Sequence, residues 1–504
     1  MNILGGFTIQ RNNVESVTGA SSNFVNDVMK YNNLGAGSIY DKPESSATQW
    51  SLMSYLARIN YSLYDRYLFS VNGRVDGSSR FGGNNKYGFF PSGSVAWRIS
   101  EEGFMEPVKA VINNLKLRTS YGFTGNTEIG VYESLATLGS NSWTIGNQLV
   151  SGFYPNRIPN PDLKWEKTGQ FDIGFDLGLF NNRLRLTADY YYKKTTDLLY
   201  NVAIPSASGY DSMLKNIGSV QNKGYELSIE SDNLSGAFSW TTAFNISFNR
   251  NKVLELGGET YKDVGTYDDH LKTSDIRRLI VGQPIGVFYG YRFDGIFQNE
   301  AECAQQTSSP SPIGVGLRRY KDLNGDGKID ATNDREILGD ANPKFFGGMT
   351  NTFAYKGFEL NVFLQYSYGN KIFNYNAMEL ESPTGGQNVY QDLVNRWTPT
   401  NPSNEYQKAT TNRNNIVSDR FIEDGSFLKL KTVSLSYSFP KLNWKHIGGL
   451  RLYVTGQNLL TWTKYRGYDP EVSYRGASTL EAGEDFGGYP QARTFMFGIK
   501  LDIK

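Results

Sequence analysis

The clearest chemical pattern in this 504-residue sequence is the run DLNGDGKID, which begins at Asp322. Oxygen-bearing residues alternate in it, and a glycine follows the third of them, as in loops that wrap a calcium ion. The bidentate carboxylate expected at position 12 is replaced by Asn333 and displaced to the next residue, which predicts weakened affinity. The alternative is a turn rich in Asp and Asn that binds nothing. The predicted calcium ligands are Asp322, Asn324, Asp326, the backbone carbonyl of Lys328, Asp330 and Asp334.

Aromatic residues in or beside predicted loops form a second candidate site. An aromatic face can stack on a sugar ring or on a peptide. The interfacial girdle of a membrane barrel explains each of these residues at least as well, so no ligand-binding residue is assigned. The aromatic candidates are Trp143, Tyr154, Trp165, Tyr390, Trp397, Tyr465 and Tyr468.

Charged residues near the ends of predicted strands form a third group. They could line a polar lumen or contact a substrate. Simple ion pairs or solvated loops explain them better, because exposed charges usually contribute little beyond surface polarity. The four residues are Asp76, Arg80, Asp419 and Arg420.

Catalytic chemistry finds little support in the sequence. The two histidines, His270 and His446, lie far apart, and Cys303 is the single cysteine, so no internal disulfide can form. Two adjacent acidic pairs, 101–102 and 268–269, could be imagined as glycosidase acids, but neighbouring residues on a strand point to opposite faces. Charge is balanced, with 51 Lys and Arg against 50 Asp and Glu, which gives no reason to expect a nucleic-acid partner. We therefore predict that the chain is not an enzyme.

Strands with alternating polarity dominate the sequence. In 171–179 and again in 184–192, apolar residues alternate with polar residues or glycine on either side of an Asn-Asn turn. This period of two gives each strand one apolar and one polar face, which predicts antiparallel hairpins. We predict about fourteen strands, near 3–11, 52–63, 67–76, 90–99, 114–122, 171–179, 183–192, 224–230, 240–249, 347–355, 358–368, 428–439, 450–460 and 493–502.

The connections between these strands alternate between short turns and long segments, as in outer-membrane barrels. The alternation requires 250–346 to be one external excursion, within which the strand-like run 285–298 folds back unless two strands are hidden there. Lys429 and Lys431 occupy apolar positions of their strand, which a β-bulge or an interfacial position would explain. No apolar run is long enough for a transmembrane helix, and the mean hydropathy of −0.46 also suits a two-sided barrel.

Five segments carry a combined family signature: VNGRVDGSSRFGGNNKYGFFPSGSVAWRISEEGFM (71–105), LKLRTSYGFTGN (115–126), NPDLKWEKTGQFDIGFD (160–176), YKDLNGDGKIDATNDREILGDANPKFFGGMTNTFAYKGFEL (320–360) and LYVTGQNLLTWTKYRGYDPEV (452–472). In this order they resemble the SusC/RagA family of TonB-dependent outer-membrane transporters of Bacteroidetes. The resemblance implies a 22-stranded barrel that is closed by an internal plug, is covered by a SusD-like lipoprotein lid and imports glycan or peptide oligomers.

The family pattern also contains parts that this sequence lacks. No signal peptide, TonB-contacting segment, plug or first barrel strand precedes Met1, and the chain ends on Ile503-Lys504 rather than on an aromatic residue. We therefore expect residues 1–504 to be the C-terminal part of an incomplete barrel, a fragment or split product of an outer-membrane protein. An open sheet leaves two unpaired edges that lipid cannot satisfy, so we expect the chain to be non-functional alone.

Two other functions remain possible from the residues. A soluble β-rich protein that binds or modifies carbohydrate is one, and it would be monodisperse without detergent. A surface protein that does not transport is the other, and a missing half encoded immediately upstream would argue against it. Neither interpretation changes the expected all-β fold.

Overall fold

Fourteen long strands follow one another in chain order within a single sheet in this computed structural model. Each of the fourteen predicted strands overlaps one of them, so the predicted all-β fold and strand count are confirmed. The strands are β1 (Asn2–Thr18), β2 (Glu44–Leu63), β3 (Tyr67–Ser78), β4 (Tyr87–Arg98), β5 (Ile112–Asn126), β6 (Glu166–Leu179), β7 (Leu184–Thr196), β8 (Ser219–Leu234), β9 (Phe238–Glu255), β10 (Phe345–Tyr355), β11 (Phe358–Tyr368), β12 (Phe427–Ser438), β13 (Ile447–Thr463) and β14 (Thr494–Ile503).

The structure describes residues 1–210, 212–265, 273, 276–382, 388–411, 415–440, 447–472, 474–476 and 478–503. Both histidines considered above, His270 and His446, lie outside these residues, as does the acidic pair 268–269. Within the described part of the chain, no helix is long and apolar enough to cross a membrane.

Tight turns fix the register of neighbouring strands. Between β10 and β11, Tyr355 pairs with Phe358, and both residues of the intervening turn, Lys356 and Gly357, have positive φ angles of 44° and 89°. Two successive positive φ values define the hairpin turn whose twist matches that of the flanking strands. The predicted short connection at 356–357 is therefore a two-residue hairpin turn.

The long strands are two-sided, as the alternation predicts. In β3, Phe69 and Val71 are exposed on one face. Arg74 and Asp76 lie on the other, where Asp76 pairs in register with Ser54 of β2. Because a shift by one residue would exchange the two faces, this alternation fixes the register along the strand.

The two outermost strands each have a partner on one side only among the described residues. β1 pairs with β2 along its whole length, and β14 pairs with β13. Both strands carry large exposed apolar side chains, including Ile9 and Phe497. An exposed apolar edge strand offers unpaired backbone groups to any further strand.

The long connections contain shorter elements of their own. β9 pairs directly with β10, so the segment between them leaves the sheet and returns to the neighbouring strand. The additional strands are Ser21–Ser22, Ile39–Tyr40, Thr137–Ile145, Gln148–Arg157, Leu199–Ala203, Ser212–Asn216, Tyr261–Val264, Arg277–Ile280, Val287–Tyr291, Phe293–Ile296, Arg318–Tyr320, Arg335–Asp340, Lys371–Asn374, Ile422–Asp424 and Glu484–Asp485. The α-helices are Glu300–Cys303 and Tyr375–Leu380, and the 3-10 helices are Lys30–Asn32, Leu34–Ala36, Ile99–Glu101, Gly103–Val108, Ser206–Ser208, Gln391–Asn395 and Asp419–Phe421.

The chain divides into two compact units. The first comprises Met1–Ala96, Thr119–Phe171 and Lys194–Ser219, and the second comprises Trp97–Arg118, Asp172–Lys193 and Val220–Lys504. Each unit contains candidate sites, and the two units are described separately below.

Candidate functional site

In the second unit, three long connections fold together around a hydrophobic core, and together they form what we call the loop body. It comprises the described residues of 276–342, 370–425 and 465–486. One of its small sheets joins strand Lys371–Asn374 to Ile422–Asp424 on one side and to Glu484–Asp485 on the other. The buried core residues are Ile276, Phe288, Phe373, Tyr375, Ala377, Met378, Val417 and Phe421.

Buried ion pairs join the same connections. The Arg277 guanidinium donates to Glu484 Oε1 at 2.9 Å, with both side chains almost fully buried. The Glu381 carboxylate, also buried, accepts from Arg420 Nε at 2.8 Å and from Arg466 at 3.2 Å. Burial raises the pKa of Glu484 although the charge of Arg277 opposes this effect. Removing either partner would leave an uncompensated buried charge, so these pairs hold the loop body in one arrangement.

A further ion-pair cluster ties the connection after β13 to β12. Lys429 Nζ contacts Asp469 Oδ1 at 2.7 Å and Glu471 Oε2 at 2.5 Å. The register shifts between Leu430 and Thr432, so a β-bulge places Lys429 opposite Gln365, on the polar face. The bulge that we predicted as one explanation of this lysine is therefore present.

The loop that we predict to bind calcium is closed by hydrogen bonds from its own backbone. The Asp322 carboxylate accepts from the amides of Gly325 at 2.6 Å and Gly327 at 2.7 Å. Asp334 is fully buried and accepts from the amides of Leu323 and Asp330, both at 2.8 Å. The bond from the Leu323 amide brings the last predicted ligand, Asp334, next to the first, Asp322, and closes the loop.

The middle of this loop is equally ordered by its acidic side chains. Asp326 accepts from the Lys328 amide at 2.8 Å, and the side-chain amide of Asn324 donates to Asp326 at 3.0 Å. Backbone donation from Asn333 and Thr332 lowers the pKa of Asp330. Among the described residues, no three His, Cys, Asp or Glu side chains are grouped as a metal site requires. Calcium binding therefore stays a prediction.

In the first unit, a groove of about 390 Å³ combines polar and aromatic side chains. Its polar part is the ion pair of β3, in which Arg74 Nε donates to both carboxylate oxygens of Asp76 at 2.7 and 2.8 Å. Its aromatic part consists of Phe90, Phe123 and Trp165. Such a combination can contact a sugar or a peptide through ring stacking and hydrogen bonds.

Two residues predicted as possible ligand contacts also serve the packing of this unit, and one of them, Trp165, lines the groove as well. Trp165 is buried, its ring centre lies 4.9 Å from that of Phe81, and its indole N–H donates to the Lys86 carbonyl at 3.0 Å. Arg80 donates to two backbone carbonyls, and its guanidinium lies 4.4 Å from the ring centre of Trp50. Both residues therefore stabilise the fold around the groove.

A hairpin formed by Thr137–Ile145 and Gln148–Arg157 lies in the connection between β5 and β6. It carries two further aromatic candidates, Trp143 and Tyr154, both partly exposed. Its turn residues, Gly146 and Asn147, have φ angles of 60° and 63°. The Gly-Asn pair is the sequence signal from which the hairpin turn could have been predicted, although the flanking runs do not alternate in polarity.

The remaining candidates lie in the second unit and are mostly structural. Asp419 accepts from the Phe293 amide at 2.8 Å and from Arg292 at 3.1 Å, as the ion-pair interpretation predicts. Trp397 donates its indole N–H to Gln298 at 3.0 Å. Three other candidates contribute to the loop body. Tyr390 packs against its core, the Tyr465 hydroxyl donates to Asp485, and Arg420 pairs with Glu381. The last candidate, Tyr468, is exposed.

Comparisons with known proteins agree with this architecture. A family model for the TonB dependent receptor-like beta-barrel matches residues 4–459. TonB-dependent receptor P3 of Formosa agariphila is 40% identical over 510 residues, which cover 99% of this chain and 50% of that protein. TonB-dependent receptor SusC of Bacteroides thetaiotaomicron is 32% identical over 472 residues, which cover 91% of this chain and 44% of that protein.

A solved structure of the RagAB peptide transporter aligns with a TM-score of 0.83 at 27% identity, and covers 99% of this chain and 53% of that chain. The chain therefore spans about half the length of the curated relatives it matches. It belongs to the TonB-dependent receptor β-barrel family, whose members are transport receptors and not enzymes, and the predicted resemblance to the SusC/RagA proteins is confirmed.

Proposed function

We propose that this chain supplies the C-terminal strands of an outer-membrane importer for glycan or peptide oligomers, and that it does not transport alone. The observation that carries the proposal is the ordered sheet of fourteen strands, whose outermost strands β1 and β14 have free edges in the described residues. The chain covers about half the length of its relatives, and its sheet has fourteen of the 22 strands that the family resemblance implies. Both numbers agree with a partial barrel.

The two-sided strands support a place in a membrane. On β11, Val362 belongs to the apolar face, while Asn361 lies on the opposite face and donates to Thr352 at 2.9 Å. Lipid solvates the apolar face but offers nothing to an unpaired backbone edge. The chain therefore needs further strands at β1 and β14 before it can close a barrel.

The partners of the proposed importer are inferred from its family. SusC and RagAB are among the proteins that this chain resembles, which supports a SusD-like lipoprotein as a lid over the outer opening. TonB would energise transport in the complete protein by acting on parts outside the matched strands. The groove beside Asp76 and the loop body are the surfaces that an imported oligomer would meet.

Site-directed spin labelling tests the membrane face directly. In a Cys303→Ser background, nitroxide labels are placed at Val362→Cys and Asn361→Cys in the detergent-solubilised chain. We expect the label at 362 to collide more with oxygen and the label at 361 to collide more with a water-soluble nickel complex. Equal accessibility to the nickel complex, together with a monodisperse chain in the absence of detergent, would instead support the soluble carbohydrate-binding or carbohydrate-active alternative.

We also propose that the loop from Asp322 to Asp334 binds calcium and thereby stiffens its connection. Alternating oxygen donors and the buried Asp334 support the proposal, since calcium takes six to eight oxygen ligands. Hydrogen exchange of peptides that cover 322–334 is compared with and without calcium in the wild type and in Asp326→Asn. We expect calcium to slow exchange in the wild type only. Unchanged exchange in the wild type would show that the loop is a metal-free turn.

A further inference from the structure

We propose that the 137–157 hairpin is a binding platform for neutral oligosaccharides, a site that rests on the proposed importer function and specifies one of its ligand classes. The register pairs Gly139 with Tyr154 and Trp143 with Val150. Directly opposed residues share a face, and so do residues two apart. Both aromatic side chains therefore lie on the same face of the hairpin.

Each ring lies against a glycine of the opposite strand. A methyl group at Gly152 would come within 2.3 Å of the Trp143 ring, and one at Gly139 within 2.5 Å of the Tyr154 ring. The rings therefore cover the backbone at both glycines. A side chain at either position would clash with the ring that lies over it. One side of each ring is thereby occupied, while 44% of Trp143 and 43% of Tyr154 stays exposed.

The two rings are neighbours on this face. Gly139 and Gly152 belong to adjacent same-face register positions, 139 with 154 and 141 with 152. Such positions are about 7 Å apart along a strand, since each residue advances by about 3.4 Å. Two exposed rings at this separation offer stacking surfaces to more than one ring of a single oligomer.

The charge of the hairpin favours a neutral ligand. From Ser134 to Asn156 the sequence contains no Asp, Glu, Lys or Arg. The charges that flank this segment neutralise each other, because Arg157 contacts Glu133 at 3.1 Å. Peptides bring charged ends, for which this surface has no counterpart, whereas the hydroxyl groups of a neutral sugar can use the amides of Asn141 and Gln148 on the same face.

The opposite face provides a matched control. Phe153 is 77% exposed and lies on that face, one residue from Tyr154 along the strand. Truncation of Phe153 removes comparable aromatic area from the same hairpin but leaves the two stacked rings in place. It therefore distinguishes stacking on the platform from general loss of apolar surface.

The experiment measures binding of the full chain, solubilised in detergent, to an array of neutral oligosaccharides, acidic oligosaccharides and peptides of similar mass. We expect at least one neutral oligosaccharide to bind, with about tenfold loss in Trp143→Ala and in Tyr154→Ala and less than twofold change in Phe153→Ala. Gly152→Ala keeps the indole but displaces it, and should lose affinity as Trp143→Ala does. Hydrogen exchange of β2–β3 peptides checks that each variant is folded.

Any of three results would contradict the proposal that this hairpin binds neutral oligosaccharides. They are no binding to any neutral oligosaccharide, unchanged affinity in both Trp143→Ala and Tyr154→Ala, or an equal loss of affinity in Phe153→Ala. Binding of peptides that is lost in the ring variants would assign the face to peptides instead. The spin-label experiment on β11 is independent of this hairpin, so failure of the membrane proposal and failure of the platform give different results.

Discussion

Removal of the charge of Lys429 should weaken the attachment of the segment 464–472 to the sheet. Lys429 occupies an apolar position of β12 in the sequence pattern, and yet its ammonium group is paired in the structure. Only 2% of the side chain is exposed, and its ammonium group contacts two carboxylates, those of Asp469 and Glu471. Substitution Lys429→Met keeps the length and apolar volume but removes the charge. The two carboxylates then lose their buried cation, while the more exposed Lys431 stays 3.3 Å from Glu471.

The size of the effect follows from burial. Breaking a buried ion pair by removal of one partner costs about 3–5 kcal/mol. The carboxylates here keep some solvent, with 12% of Asp469 and 27% of Glu471 exposed. Solvent screening reduces the expected loss to about 2–3 kcal/mol. This free energy holds the segment 464–472 against β11 and β12 and is not the free energy of unfolding the whole chain.

Hydrogen exchange of peptides that cover 464–472 measures that local free energy in the detergent-solubilised chain. A loss of about 2–3 kcal/mol corresponds to about 30- to 150-fold faster exchange in Lys429→Met, because each 1.4 kcal/mol is a factor of ten. Lys431→Met is the control, since 30% of that side chain is exposed and its ammonium group lies 3.3 Å from Glu471. An exposed pair of this kind is worth about 1 kcal/mol or less, so we expect at most about fivefold faster exchange in the control.

Two outcomes would refute this reasoning. If exchange in Lys429→Met stays within about threefold of the wild type, the buried pairs do not hold the segment. If both lysine variants accelerate exchange equally, burial is not the property that decides the strength of the pairs. Exchange of peptides from β2 and β3 should be unchanged in either variant.

Three further predictions use the same measurements. Burial alone would raise the pKa of Glu471, but the hydrogen bond and charge of Lys429 outweigh burial and lower this pKa. The attachment of 464–472 should therefore be fully present above the ordinary Glu pKa and should weaken as the pH falls through the lowered pKa. The weakening would be measured as faster hydrogen exchange at acid pH, after correction for intrinsic exchange rates. Arg277→Met should destabilise the loop body by about 3–5 kcal/mol in denaturant-dependent exchange, whereas Arg278→Met, whose carboxylate partner is about one-third exposed, should cost about 1 kcal/mol. Gly82→Ala should loosen the loop after β3, because the new methyl group would lie 2.0 Å from a backbone carbonyl oxygen, while Gly83→Ala has open space and should be neutral in thermal unfolding.

The strands could be predicted from the sequence because their signal is local. Alternation with period two and short turns such as 356–357 specify a strand, its faces and its register with the next strand. The β-bulge in β12 could also be inferred from the sequence, because it explains why Lys429 occupies an apolar position of the alternating pattern.

The loop body could not be predicted in this way. Its ion pair between Arg277 and Glu484 joins residues 207 positions apart, and neither residue lies in a pattern that marks its partner. Trp165 shows the same limit on a smaller scale, because an aromatic residue beside a predicted loop can be a ligand contact or a core residue. Only the packing around Phe81 and Phe90 decides that it is core.

The strands and the loop body of the second unit depend on different physical environments. The apolar faces of the strands are exposed, whereas the loop body has its own buried hydrophobic core and buried Arg–Glu pairs. Under the proposed function, lipid and additional strands would stabilise the sheet, whereas the loop body is stabilised by its own packing and is attached to β12 through Lys429. Under the same proposal, substitutions in the loop body away from this attachment would alter the surface proposed to meet a nutrient without changing the register of the strands. One strand pattern can then carry loop bodies of different surface chemistry, because the loop body has its own core.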